Sequence, residues 1–512
     1  MQIGGVLPYF YEMEPGESGM TALAGLPPYL DLARAVALRE SVERHIHLRE
    51  NSQGWTPCQL VTHAVLLNLA GGDCVDDLDR LNADAGFGEV VRRVECAGMT
   101  RQQRRAMERR FRKERERNIA SPSAMRRFLE EFHDEEQEKL RAVGKAFIPA
   151  PNAHLRGLYQ VNWDLVAFAQ SRRPQTMATL DIDAVVIETC KEEALPCYQK
   201  TKAYQPLNIY WAEQGLVVHS EFRDGNVPAG FQIQRVLDEW LAHLPGGVQE
   251  VCMRSDTAAY EIALLRYLHS GGNGRLREGE QPKPIWFSIG VPITDEFKDA
   301  AGKPSVEWKA LGGQGQEGNL EKSGREWADV AFVSNELARS KNDPDFRFIA
   351  IREPLEQPPL PGMEGQQKLP FGTVVLEGRA YKLHAIVTNR WNWKGEHVIQ
   401  WHYERCGKSE EAHAVMQEDL AGRQLPSKYF GANAAWWAMM ILALNLNQVM
   451  KKLVLGGKWA EKRLKAIRFA AINTPGRLMR GGRQLRLRVS EACAAVLRQM
   501  REGVAALAAT PG

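Results

Sequence analysis

Asp181 and Asp183 stand two residues apart in the run Met177–Ile187, MATLDIDAVVI, and a third aspartate, Asp256, follows the apolar run Val248–Met253. Far along the chain Glu410 sits where a late helical pattern resumes. A spacing of two puts Asp181 and Asp183 on one face of a strand, opposite Leu180, Ile182 and Ala184. Charges inside a central strand are costly unless something compensates them. A divalent cation is one compensator; a strand with one wet face is the competing account. Asp256, in RSD, falls where the carboxyl ends of strands line the crevice of an open α/β sheet. It also fits the N-cap of the helix that TAAYEIALLRYL begins. Glu410 in a first helical turn signals nothing alone. As a set, two strands and a late helix would bring three carboxylates together. They would hold two divalent ions about 3.5–4 Å apart, placed to stabilise the attacking and leaving oxygens of an in-line displacement. Mg²⁺ suits such a site, with Mn²⁺ as a substitute, because it takes few carboxylates and keeps waters and phosphate oxygens.

The elements that must position these acids follow from periodicity. Leu207–Ala212 and Leu216–Phe222 read as strands joined by the hairpin signal Glu213-Gln214-Gly215. Phe231–Leu244 and Ala258–His269 read as helices, and Ile285–Gly290 as a further strand. Strand, strand, strand, helix, strand, helix, strand is the order of an RNase H-like fold, an α/β mixed sheet. A β-rich insertion then precedes the last helix of that fold, with strand-like runs at Arg347–Ile351, Gly372–Leu376 and Tyr381–Thr388. Its Gly- and Pro-rich stretches at 311–319 and 357–365 read as loops. The expected division is a helical N-terminal region (1–150), a first catalytic part (175–290), the insertion (291–400), a last catalytic part (401–455) and a basic C-terminal region (456–512). Within the first, one helix is expected near Leu30–Arg49 and a long polar helix after Met99. Ser121-Pro122-Ser123 starts a short helix carrying Arg126 and Arg127, either a DNA-reading helix or an ordinary bundle helix.

Net charge is only +3 over 512 residues, but its distribution is uneven. Arg101–Arg117 reads RQQRRAMERRFRKERER, and Lys451–Arg488 carries a run of Lys and Arg against the single acid Glu461. Such runs attract phosphates; the first, with Glu108, Glu114 and Glu116 interleaved, also fits a solvated helical face. None of the eight cysteines forms a CxxC pair, so a structural zinc site is not expected. The N-terminus has no basic region leading into an apolar core, and Ala434–Leu446 is too short to span a bilayer and reads as a buried helix. A cytoplasmic protein with no membrane role is expected.

Several segments, in order, resemble bacterial insertion-sequence transposases of the IS1380 family, within the IS4-like DDE group. They are LLNLAGGDCVDDLDRLNAD (66–84), TLDIDAVVIET (179–189), YQPLNIYWAEQGLVVHSEFRDGNVPAG (204–230) and RSDTAAY (254–260). VTNRWNW (387–393), YERCGKSEEAHAVMQEDLAG (403–422) and FGANAAWWAMMILALNLN (430–447) complete the set. The resemblance implies a DNA transposase whose catalytic acids are Asp183, Asp256 and Glu410, with Asp181 the close alternative to Asp183 or else assisting metal binding or orienting Asp183. It implies the motif tyrosine, two residues, arginine, three residues, glutamate, six residues, lysine. Tyr403 and Glu410 fit it, while Cys406 and Gln417 occupy the arginine and lysine positions. Arg405, Lys408 and Lys428 are the candidate replacements, and Tyr403 and Arg254 further candidate DNA contacts. End recognition is expected from Arg104, Arg105, Arg109, Arg110, Arg126 and Arg127. The partners implied are double-stranded DNA, at element ends and target, and a second protomer on that DNA. Second-strand cleavage through a DNA hairpin is also implied, and one of Trp391, Trp393 and Trp401 is the candidate to stack on a flipped base, against the reading of all three as packing aromatics. The basic C-terminal part is expected to clamp flanking DNA or to serve a dimer. A metal-dependent nuclease without strand transfer and a catalytically degenerate DNA-binding protein are the alternatives.

Overall fold

The computed structural model describes residues 2–4, 10–12, 19–48, 53–112, 114–312, 324–334, 336–337, 344–355, 372–376, 378–481 and 484–509. The Gly- and Pro-rich stretches at 311–319 and 357–365 lie almost wholly outside these residues.

A mixed sheet of ten strands organises the molecule. In chain order they are β1 (Met177–Ala184), β2 (Leu207–Trp211), β3 (Leu216–Glu221), β4 (Glu250–Ser255) and β5 (Trp286–Gly290), then β6 (Lys309–Ala310), β7 (Glu326–Val330), β8 (Arg347–Pro354), β9 (Thr373–Leu376) and β10 (Arg379–Thr388). In space they run β6-β7-β8-β10-β5-β4-β1-β2-β3, with β9 paired to β10. The tight turn at Gly215, φ +71°, makes β2 and β3 antiparallel neighbours. The return from β3 to β4 passes through the helix Ile233–Leu241, and that from β4 to β5 through Ile262–His269. Crossovers of this kind lay β1, β4 and β5 parallel, so their carboxyl ends open on the same side.

The strands beyond residue 300 do not form a separate lobe. β10 and β8 pair antiparallel onto the β5 edge and continue the sheet. β7 (EWADV) has two acids among five residues and no strand signal of its own; pairing with β8 and the Arg347–Asp329 ion pair (2.6 Å) hold it there.

The helix Phe430–Val449 is apolar all round because it is packed all round, by β3 and by the helices Pro57–Ala70 and Ala153–Arg172. With its continuation to Leu455 it is long and apolar enough to cross a membrane, yet 78% of its most apolar window is buried inside the chain. Asn445, buried in that helix, repairs an irregularity. Where the β2–β3 register shifts at Ile209/Tyr210, Val217 N–H donates to Asn445 Oδ1 (3.0 Å), and Asn445 Nδ2 donates to Val217 O and Asn162 Oδ1 (both 2.7 Å). These side-chain bonds satisfy the backbone polar groups at the irregularity.

The N-terminal region is helical but more broken than its periodicity indicates. Two helices, Pro27–Ala35 and Leu38–His45, replace the single one expected, with Ala37 at φ +54° between them. The basic run forms a helix only over Arg101–Glu108. The long polar helix fails because Arg115 turns inward: it is buried, paired with Glu95 (2.8 Å) and set 4.3 Å over the Trp55 ring. Ser121 caps Pro122–Glu130 as expected, accepting from Ala124 N–H. One continuous hydrophobic core runs from Leu26 to Val504.

Candidate active site

β1 and β4 lie side by side with Asp181 next to Arg254. Arg254 grips Asp181 with two bonds, Nε to Oδ1 at 2.6 Å and Nη2 to Oδ2 at 2.9 Å, and donates through Nη1 to the Trp401 carbonyl (2.7 Å). Both side chains are buried. The pair neutralises the acid within the sheet and ties the helix Gly395–Tyr403 to β4.

Two residues further, Asp183 reaches the carboxyl end of β1. Its Oδ1 accepts from Ala184 N–H (2.9 Å), and its Oδ2 lies 3.5 Å from Arg405 Nη1. Burial pushes this carboxyl up to about 6; Arg405 opposes the rise, and the charges of Asp256 and Glu410 add to it. Asp183, at the end of β1, therefore feels the charges of Asp256 after β4 and of Glu410 on the late helix. Asp256 follows β4 directly, and its Oδ1 accepts from Ala258 N–H (3.0 Å) at the start of the turn Thr257–Ala259. Asp256 is the strand-end acid and caps this short turn only; the helix expected from Ala258 starts at Ile262 with Glu261 at its N-cap, so the helix-cap role read from the sequence does not hold. Glu410 is exposed on the helix Arg405–Ala414. Among the described residues no three His, Cys, Asp or Glu side chains stand together at metal-ligating distance.

That helix is kinked at its start. Cys406 is extended (ψ 126°) and Gly407 takes φ +98°, a conformation glycine adopts without strain. The kink leaves Cys406 exposed and brings Arg405 to Asp183. At the other departure, Gln417 donates to the Val186 carbonyl (3.1 Å) and accepts from Arg423 Nη2 (2.8 Å) and Nε (3.2 Å). A cation thus stands beside each motif position that lacks one.

His413 and Asn208 also belong to the site, and nothing in their local sequence announces them. His413 is pushed down to about 4, by burial and then by Arg405, and is neutral near pH 7. Its Nε2 faces Asn208 Nδ2 at 3.4 Å, so Nε2 accepts and Nδ1 carries the hydrogen, 3.9 Å from Asp183 Oδ2. Ser220 Oγ donates to Asn208 Oδ1 (2.6 Å) and accepts from Trp437 Nε1 (2.8 Å). A buried polar chain thus supports Asp183 from behind. Register alone could have found Asn208, which lies opposite Asp183 on β2.

The other residues singled out in the sequence are scattered. Tyr403 is half-buried against the small core of Trp327, Ile349 and Val398. Lys428 is exposed, its Nζ 5.1 Å from the Tyr429 ring centre; the side chain of Lys408 lies outside the described residues. Arg104, Arg105, Arg109 and Arg127 are exposed, and Arg126 pairs with Asp76 (2.7 Å). Trp393 and Trp401 are packing aromatics: they meet edge to face at 5.6 Å, with the Arg390 guanidinium over both rings. Trp391 is 59% exposed.

The sequence family described as transposase DDE domain, group 1, matches residues 17–274 and 374–510. The chain belongs to that family. It is a DDE transposase, and the matched segments contain Asp183, Asp256 and Glu410. The unmatched stretch 275–373 contains β5 to β8 and the first residue of β9, and so includes most of the extension added at the β5 edge. Among solved structures, the chain is similar to a piggyBac transposase synaptic complex with hairpin DNA, at 10% identity and a TM-score of 0.38, over 95% of this chain and 86% of that one. No curated protein matches this transposase in sequence.

Proposed function

We propose that this transposase mobilises an insertion sequence of the IS1380 type, cutting the element's ends and joining them to target DNA by hydrolysis and transesterification of phosphodiesters. The strands β3-β2-β1-β4-β5 are its RNase H-like core, and Asp183, Asp256 and Glu410 its catalytic acids. The observation that carries the reading is Asp183 at the carboxyl end of β1, raised to about 6 by burial with the charges of Asp256 and Glu410 adding to the rise, beside the parallel strand β4 that Asp256 follows. Their oxygens are hard donors suited to Mg²⁺ or Mn²⁺, and a carboxyl raised to about 6 by burial, with neighbouring acids adding to the rise, is one whose charged form a cation would stabilise. Divalent ions bound there would activate the attacking oxygen and stabilise the leaving one.

The chain's own groups do the rest. Arg254 neutralises Asp181, so the outward field belongs to Asp183, Asp256 and Glu410. Arg405 faces Asp183 and is placed to move onto a DNA phosphate when cations enter. Arg423, held by Gln417, supplies the second phosphate contact. Cations at both departures favour an active enzyme over a degenerate copy. The exposed arginines of 101–127 recognise element ends, two protomers act on one DNA, and Trp391 stacks on a flipped base during hairpin formation.

The test is excision of a marked element bounded by the DNA ends that flank this gene. Wild type excises it; Asp256→Ala does not, though it still binds the ends. Equal excision by both proteins overturns the catalytic trio. Replacing Trp391 with Ala is expected to abolish hairpin formation and spare the first nick; an unchanged hairpin yield removes Trp391 from the mechanism.

A further inference from the structure

We propose that the ribbon formed by Gly476–Gly481 and Gln484–Val489 is a second duplex-DNA surface, gripping the phosphate backbone beside the element end; this rests on the transposase reading above. The segment Gly476–Ser490 contains five arginines (477, 480, 483, 486 and 488) and no acid. Its two strands sort these residues by face. Leu478 is buried, and Leu485, Leu487 and Val489 pack on the core. Arg477, Met479, Arg486 and Arg488 are exposed on the opposite face.

Register makes this face more than a soluble coat. Arg477 stands directly opposite Arg488, and Met479 opposite Arg486. Arg486 and Arg488 are exposed on the same face of one strand, and the segment around them has no acid, so a polyanion laid across this face is attracted to it. Duplex DNA carries one charge per about 1.7 Å of axis. Outward residues on a strand recur every ~6.6–6.8 Å, so each arginine finds its own phosphate. The strand Gln484–Val489 is the outer edge of its three-stranded sheet, leaving that approach open.

The ribbon's placement says which DNA. Gly476 and Arg477 pair with Thr21 and Met20, and Leu478 N–H donates to the Gly19 carbonyl (2.7 Å). Arg480, on the inward-facing parity, reaches Glu89 of the helix Ala85–Glu95 (2.7 Å). The C-terminal ribbon is thus stitched to the N-terminal region, whose arginines of 101–127 are proposed to recognise the element end.

The experiment uses the full chain, wild type and the double variant Arg486→Ala/Arg488→Ala, with a labelled element-end duplex and a scrambled duplex of equal length. Anisotropy titrations are run across a salt series. The double variant is expected to bind both duplexes more weakly by a similar factor. The slope of log affinity against log salt becomes shallower by nearly 2, at about 0.9 per lost phosphate contact. The charge-preserving variant Arg486→Lys/Arg488→Lys restores most of that slope. Thermal melting is unchanged, because both side chains are exposed. Unchanged affinity and slope overturn the proposal. So does a loss confined to the element-end sequence, which would mean base reading, or a loss of self-association with DNA binding intact, which would mean a protein interface. Wild type that shows the ribbon-dependent slope but never cuts DNA leaves this inference standing and fails the transposase reading; cutting with a ribbon-independent slope does the reverse.

Discussion

Asp181 and Asp183 share a strand, a face and a chemistry, and the fold treats them oppositely. Asp181 lies inside the sheet, where β4 presents Arg254 alongside it and closes a two-bond ion pair. Asp183 lies at the sheet's end, where β4 has run out and its sequel brings another acid, Asp256. One carboxylate is compensated by the protein itself and becomes part of the scaffold. The other stays raised by burial, with Arg405 and two acids as its neighbours, and it is the carboxylate proposed above to take an outside cation. The difference is one of depth along a strand, about 6.6–6.8 Å for two residues, and it separates architecture from chemistry.

That contrast can be broken from the scaffold side first. Arg254→Ala strands a buried carboxylate, and removing one partner of such a pair costs about 3–5 kcal/mol. The variant is expected to show that loss in denaturant unfolding, with or without Mg²⁺. A loss below about 1 kcal/mol would mean that the pair is not buried in solution.

From the chemical side, Asp183→Asn should do the opposite in metal-free protein. The carboxyl is raised from an ordinary 3.8 to about 6, so between those values the folded chain holds more protons than the unfolded one. Stability therefore falls as pH rises through that window, and the cost is fully present at pH 7 and above. At pH 8 the asparagine variant is expected to be more stable by at most about 3 kcal/mol, reduced by the partial exposure of the site. Near pH 3 the advantage vanishes. Adding Mg²⁺ should raise the melting temperature of wild type and leave that of the variant unchanged. A variant less stable than wild type at pH 8 without metal would place Asp183 among the compensated acids.

The smallest effect sharpens the boundary between the two. His413→Ala removes the acceptor of the Asn208 amide and the hydrogen that faces Asp183. It is expected to cost about 1–2 kcal/mol of stability and to lower single-turnover cleavage at saturating DNA while leaving DNA affinity unchanged. A matching loss of affinity would make His413 a DNA contact instead.

The sequence by itself determined a great deal. Period-two alternation marked β1, the Glu213-Gln214-Gly215 hairpin signal joined β2 and β3 as neighbours, and helical stretches separated β3 from β4 and β4 from β5. Those local signals suffice for the element order, and the spacing of Asp181 and Asp183 suffices to place both on one face. The family match spans the segments whose ordered motifs resemble IS1380-family transposases. What the sequence left open is what depends on neighbours far along the chain. Whether Asp181 or Asp183 is paired depends on Arg254, 73 residues from Asp181. Whether a missing arginine at Cys406 matters depends on a glycine kink that turns Arg405 to Asp183 across 222 residues. Whether the run after Met99 is one helix depends on Arg115 finding Glu95. And whether the strands after residue 300 form a separate unit depends on a free sheet edge at β5 that only the assembled sheet presents. Local periodicity is written in backbone geometry and side-chain polarity, which each segment carries alone. Charge compensation and edge pairing are contracts between segments, and only tertiary structure brings the parties together.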